Sequence, residues 1–270
     1  MSLRDRFDLV IFDWAGTMVD FGCQAPLLAL QEVFARRGVT ISESQVRRDM
    51  GKAKIDHVRA LLQDPAVRLV WRDACGADPG ERDTEALMRD LEPAMREQAS
   101  SAAQLIDGAL DTYQSLRAEG LKIASSTGYT RNMMSLVVSK AHAQGYAPDH
   151  LVCSGETPTG RPSPLMVYKA CAELGVWPLS RVVKVDDTEA GVAEGRAAGC
   201  FTVGVAASGN GVGLTAEAFA ALPAAERAER VTAAGQSLRE AGADVIVDSV
   251  ADLMPVLRAA ARELTPHRAK

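Results

Sequence analysis

The sequence predicts an α/β protein built on a doubly wound parallel sheet, with a helical cap domain inserted after the first strand. Three observations predict it: short apolar runs recur along the chain, helical stretches separate them, and one long stretch after the first run breaks the alternation. Wholly apolar runs suit strands covered on both faces, as in parallel sheets. Strands alternating with helices of this length form βαβ units.

Taken in order, the first strand is Leu9-Val10-Ile11-Phe12, which stops at Asp13. Comparable runs lie at 121–126, 151–153, 182–185, 201–205 and 245–247, with helices expected at 107–119, 130–143, 164–174, 190–198 and 251–264. From about Phe21 to Ser100 the patterning is helical without a convincing strand. Helices are expected there at 24–37, 43–50, 54–62 and 85–98, punctuated by Gly38, Gly51, Pro65 and Pro79-Gly80. A region near 216–234 is alanine-rich. The expected division is an α/β core of residues 1–21 plus 101–270 and a cap of residues 22–100. The cap would cover the C-terminal edge of the sheet, where open α/β sheets bind ligands.

Composition bounds the partners. The chain has 270 residues, 47% hydrophobic and 24% charged, enough for a good core, and a formal net charge of −5. No long basic block supports a nucleic-acid partner. Cys23, Cys75, Cys153, Cys171 and Cys200 are odd in number and form no CxxC pair, so reduced thiols in a cytoplasm are expected. The charged N-terminus has no apolar signal core, and no apolar run approaches the ~18 residues of a membrane span.

The chemistry gathers at strand ends. Asp13 closes the first strand ahead of Trp14-Ala15-Gly16-Thr17, where a carboxylate can attack phosphorus and loop N–H groups can hold phosphoryl oxygens. A turn-forming Asp is the plainer alternative. Thr127-Gly128-Tyr129 offers a hydroxyl and free N–H groups ahead of a helix. Arg161, in Gly160-Arg161-Pro162, can pair with phosphoryl charge. Asp186-Asp187-Thr188 presents two carboxylates suited to a hard cation such as Mg²⁺. Each alone can be a cap or a surface residue; together they describe one site.

In this order and placement the motifs resemble those of the haloacid dehalogenase superfamily, over nearly the whole chain. The resemblance implies Asp13 as nucleophile, Thr127 and Arg161 as phosphoryl contacts and Asp187 as a metal ligand. Two departures narrow it. Most phosphatases of that superfamily carry a general-acid Asp two residues after the nucleophile, and here that residue is Ala15. The cap segment Met50-Gly51-Lys52-Ala53-Lys54-Ile55-Asp56-His57 places Lys54 at a helix start, where the positive helix end and nearby cations lower an amine's pKa. An amine that condenses with an aldehyde creates an electron sink beside a C–P bond, and no leaving-group acid is then needed.

These segments, with the Asp-Trp-Ala-Gly start, resemble the phosphonoacetaldehyde hydrolase family. That resemblance implies cleavage of the C–P bond to acetaldehyde and phosphate through a Lys54 imine and an Asp13 aspartyl-phosphate. It implies Mg²⁺ on Asp13, the Ala15 carbonyl and Asp187, and a small-molecule phosphonate substrate. It also implies a site lined by Cys23, Met50, Gly51, Thr127, Gly128, Tyr129 and Arg161, with His57 as a catalytic relay, and a cytoplasmic homodimer joined through the cap. Lys52 is the alternative amine. Met50 and Cys23 are alternatively packing residues, and His57 a structural one. Asp186 stands where a Gly often precedes the metal Asp, and Gly191 where a second acid often follows, so Asp186 is a further candidate ligand. The rival functions are a phosphomonoester phosphatase of the same superfamily and a non-catalytic phosphate-binding protein.

Overall fold

The computed structural model describes residues 2–263. In chain order these form β1 (Leu9–Phe12), α1 (Gln24–Ala35), α2 (Glu43–Arg48), α3 (Lys54–Gln63), α4 (Pro65–Cys75), α5 (Glu81–Ser101), α6 (Ala109–Ala118), β2 (Lys122–Thr127), α7 (Arg131–Ala143), β3 (His150–Cys153), α8 (Leu165–Leu174) and β4 (Val182–Asp186). The chain continues through α9 (Glu189–Ala198), β5 (Phe201–Val205), α10 (Ala216–Ala221), α11 (Ala224–Glu240), β6 (Val245–Val247) and α12 (Leu253–Glu263). Leu264, the last residue of the expected final helix, lies outside the described residues.

The six strands form one parallel sheet in the order β3-β2-β1-β4-β5-β6, so the order reverses on either side of β1. All four residues of β1 are fully buried, and they alternate. Val10 and Phe12 pack on one face with Tyr113 and Leu116 of α6 and Leu253 and Leu257 of α12. Leu9 and Ile11 pack on the other with Met166, Val167 and Ala170 of α8. Each such side chain contributes about 1.5–3 kcal/mol on burial, which is why a central parallel strand reads as an unbroken apolar run.

Among the described residues, 24–101 contain helices and no strand, as the patterning indicates. They share the first face's apolar cluster through Leu30, Val33 and Phe34 of α1, Val58 and Leu61 of α3, and Leu87 and Leu91 of α5. Five helices occur where four were expected, because Pro65 opens α4 rather than ending a helix. It occupies the first turn, and the Asp64 carboxylate caps the Ala66 and Val67 amides at 2.9 and 3.2 Å. The alanine-rich region likewise forms α10 and most of α11. The segment joining β1 to α1 holds two non-glycine residues in left-handed conformation, Asp20 (φ 55°) and Cys23 (φ 53°). The Asp20 carboxylate accepts from the Gln24 and Ala25 amides, which fastens the helical insert at its entry.

Candidate active site

The reversal of strand order opens a crevice at the C-terminal ends of β1 and β4. Asp13 follows β1, Thr127 ends β2, and Asp186 and Asp187 lie at the end of β4. A small pocket there is lined by Asp13, Ala15, Thr127, Gly128, Tyr129 and Arg161 from the sheet side and by Cys23, Met50, Gly51 and Lys54 from the insert, with Pro26 and Thr188 added. The insert sits close on the sheet loops. The Lys54 amide donates to the Gly128 carbonyl at 3.2 Å. Gly51 has φ 86°, and a Cβ there would lie 2.1 Å from the Thr188 hydroxyl, so only glycine fits.

Lys54 is the first residue of α3 and is 1% exposed. Its Nζ stands 5.0 Å from the Tyr129 ring centroid. Burial pulls its pKa down to about 8, against the opposing charges of Cys23 and Asp13 and with a small contribution from Arg161. The dominant cause is therefore desolvation, rather than the helix end and nearby cations that the sequence suggested. Lys52 is not among the residues that line this pocket; its amine pairs with Asp49 at 2.5 Å and its side chain is 37% exposed.

His57 is fully buried but does not line the pocket. Its Nε2 lies 2.8 Å from the Val46 carbonyl, which only accepts, so Nε2 carries the proton and Nδ1 is left without a partner. Burial and the Lys54 charge push its pKa down to about 3.

Asp13, Asp186 and Asp187 bring carboxylate oxygens within 4.8 Å of one another. Burial pushes Asp13 up to about 6, with Arg161 opposing and Asp186 reinforcing. Burial and the charges of Asp13 and Asp186 also push Asp187 well up. Asp13 and Asp186 are paired with Arg161 and Lys184, whereas Asp187 has no ion-pair partner among the described residues, and hard carboxylate oxygens so grouped suit a divalent ion. Asp187 is oriented by Thr17 Oγ1 (3.1 Å), the Cys23 thiol (3.1 Å) and the Asn210 amide (2.8 Å). Cys23 thus lines the pocket and also donates to this carboxylate; its thiol is pushed well up by burial and by Asp187.

Asp186 is engaged differently. It accepts from Lys184 Nζ at 2.7 Å and from the Thr188 amide and hydroxyl, and lies 3.4 Å from Arg161. Its carboxylate fills the space above Gly191, where an added Cβ would lie 2.0 Å from it. Arg161 reaches Asp13 at 2.9 Å, Glu194 at 3.0 Å and the Ser126 carbonyl at 2.6 Å. Burial, which alone would lower its pKa, is outweighed by Asp186, Asp13 and Glu194, so the guanidinium stays charged.

Sequence reasoning missed Lys184, Glu194, Ser126, Thr17 and Asn210. Lys184 carries a signal, being a charge inside an apolar strand; the others carry none before the fold assembles them.

A helical insert over a parallel sheet, with a carboxylate after β1, a hydroxyl after β2, a buried arginine and paired aspartates after β4, defines a phosphoryl-handling hydrolase. The family model for haloacid dehalogenase-like hydrolases matches residues 7–199, and the chain belongs to that family. Within it the chain belongs to the phosphonoacetaldehyde hydrolases. It is 46% identical to the phosphonoacetaldehyde hydrolase of Paraburkholderia phytofirmans over 92% of this chain and 93% of the relative. It is 41% identical to that of Bacillus cereus over 93% and 96% of the respective chains. The crystal structure of a phosphonoacetaldehyde hydrolase-like protein from Oleispira antarctica superposes with a TM-score of 0.95 at 35% identity, covering 100% of this chain and 98% of that one. No helix among the described residues is long and apolar enough to cross a membrane.

Proposed function

We propose that the chain hydrolyses phosphonoacetaldehyde to acetaldehyde and phosphate, with Lys54 as the imine-forming amine and Asp13 as the nucleophile. The observation that carries this is a buried lysine, its pKa lowered to about 8, sharing one small pocket with Asp13 and Arg161. Residues 22–100 act as a cap domain over a core of 1–21 plus 101–270, and two copies pair through their caps.

The Lys54 amine attacks the aldehyde carbon and water leaves, giving an iminium. Asp13 attacks phosphorus, with Arg161 holding one of its oxygens and pairing with the phosphoryl charge. The C–P bond breaks as its electron pair moves into the iminium, leaving an enamine on Lys54 and a phosphoryl group on Asp13. The enamine gains a proton at carbon, and water releases acetaldehyde and the free lysine. A second water hydrolyses the aspartyl-phosphate. Ala15 fits this sequence, since no alkoxide departs and no leaving-group acid is required. Thr127, Gly128 and Tyr129 line the phosphoryl and aldehyde ends together with Met50, Gly51 and Cys23. His57 exchanges a proton only through Nδ1, since Nε2 is tied to Val46. Asp13, Asp187 and the Ala15 carbonyl would hold Mg²⁺, with Asp186 behind them on Lys184. When bound, the ion offsets the repulsion between carboxylate and phosphonate.

Acetaldehyde and phosphate are expected in equal amounts from phosphonoacetaldehyde, and EDTA is expected to stop their release. Only the free amine condenses, so log kcat/KM is expected to climb with pH below about 8 and level off above it. Faster release of nitrophenol from p-nitrophenyl phosphate than of acetaldehyde would instead establish the phosphatase rival.

Ala15→Asp tests the missing acid separately. It is expected to slow phosphonate cleavage by adding charge beside the metal aspartates, while activity toward phosphate monoesters holds or rises. Faster phosphonate cleavage would contradict this account of the site.

A further inference from the structure

Arg47, on α2 of the helical insert, makes contacts that neither strand-end motif nor pocket explains. Its side chain is 12% exposed, and its guanidinium donates to the Gly22 carbonyl (2.9 Å) where the insert begins and to two groups of the core, Asn210 Oδ1 (3.2 Å) and the Gly213 carbonyl (2.6 Å). Glu43, one turn earlier, holds its Nε at 2.6 Å. Asn210 answers, its Nδ2 donating to the Arg47 carbonyl at 3.0 Å. Both ends of the Asn210 amide are therefore fixed by one residue of the insert.

Asn210 has a second attachment. Its backbone N–H donates to Asp187 Oδ2 at 2.8 Å, the oxygen that also receives the Cys23 thiol. The same loop is tied to the segment after β1, since Ser208 Oγ donates to the Gly16 carbonyl and the Gly22 amide donates to the Ser208 carbonyl, both at 2.8 Å. A continuous chain of hydrogen bonds thus runs from α2 through Asn210 to the carboxylate proposed above to hold the cation.

We propose that Arg47 and Asn210 form a strut that couples the seating of the helical insert to the orientation of Asp187, and so sets the affinity for the divalent ion. Both are positioning residues. They act on the ligand carboxylate through the loop carrying the Asn210 amide, and neither touches substrate. Outer groups that orient ligand carboxylates change metal affinity by about 10–100-fold when removed. With the strut intact, a seated insert means a correctly aimed carboxylate. With it cut, Asp187 keeps Thr17 and Cys23 but loses the fixed amide.

The inference rests on Asp187 being a cation ligand, and its test does not depend on turnover. Mg²⁺ is titrated calorimetrically into the wild-type chain and into Arg47→Met, Asn210→Ala and the double variant, without substrate and well below their unfolding temperatures. Each single variant is expected to bind Mg²⁺ about tenfold more weakly or worse. The double variant is expected to be no weaker than the weaker single, because both cut the same link. Arg47→Lys, which keeps the charge but reaches fewer acceptors, is expected to fall between. A folded Asn210→Ala with wild-type Mg²⁺ affinity overturns the strut, as does full additivity in the double variant. If Arg47→Met does not fold, Asn210→Ala alone decides. A wild-type chain that binds no Mg²⁺ overturns the metal reading and the strut with it, whereas unchanged affinity in the variants overturns the strut alone.

Discussion

Lys54→Arg is expected to abolish acetaldehyde release, a loss of about 10⁴-fold or more on the scale seen when a catalytic group is removed. A guanidinium stays protonated and does not condense with an aldehyde. The site offers no substitute amine: Lys52 is paired with Asp49, and Lys184 lies within the sheet against Asp186. Borohydride added with phosphonoacetaldehyde is expected to inactivate the wild-type chain and to add mass to a peptide containing Lys54, while the variant escapes. Mass found on Lys52 would refute the assignment.

The second large effect is expected from Asp13→Asn. The amide keeps the shape of the side chain but cannot carry a phosphoryl group, so turnover should fall by about 10⁴-fold or more. Arg161 would remain beside Asp186 and Glu194, which hold its charge, so the fold is expected to persist. The variant separates the two halves of the reaction. Imine trapping on Lys54 is expected to survive while phosphate release stops. Loss of both together would mean that Asp13 is needed for condensation, not only for attack at phosphorus.

Much of this was legible because strand ends and chemistry coincide. The run Leu9-Val10-Ile11-Phe12 reads as a central strand since both its faces are buried, and the residue after such a strand is bound to sit at the crevice. Asp13, Thr127, Arg161 and Asp187 were visible for that reason, and Lys54 from its place at a helix start. What stayed hidden depends on tertiary assembly. Pro65 looks like a stop until Asp64 is seen capping the helix it begins. Glu194 looks like any helix-surface acid, yet α9 turns it inward onto Arg161 and Ser126. The lowered pKa of Lys54 was expected from charge but comes mainly from burial, which no local spacing encodes.

The Asp186 carboxylate and the bare backbone of Gly191 occupy one volume between them, 2.0 Å from an imagined Cβ. These two positions therefore form a single steric unit, although they stand five positions apart in the chain. Any side chain gained at 191 must displace a carboxylate tied to Lys184, Arg161 and Thr188, and shrinking position 186 alone leaves Lys184 with only Glu194 for a counter-charge. Either single change is expected to cost stability, through overlap in the one case and a weakened counter-charge in the other. The two positions are therefore coupled by volume as well as by charge, so that what one tolerates is expected to depend on which residue stands at the other.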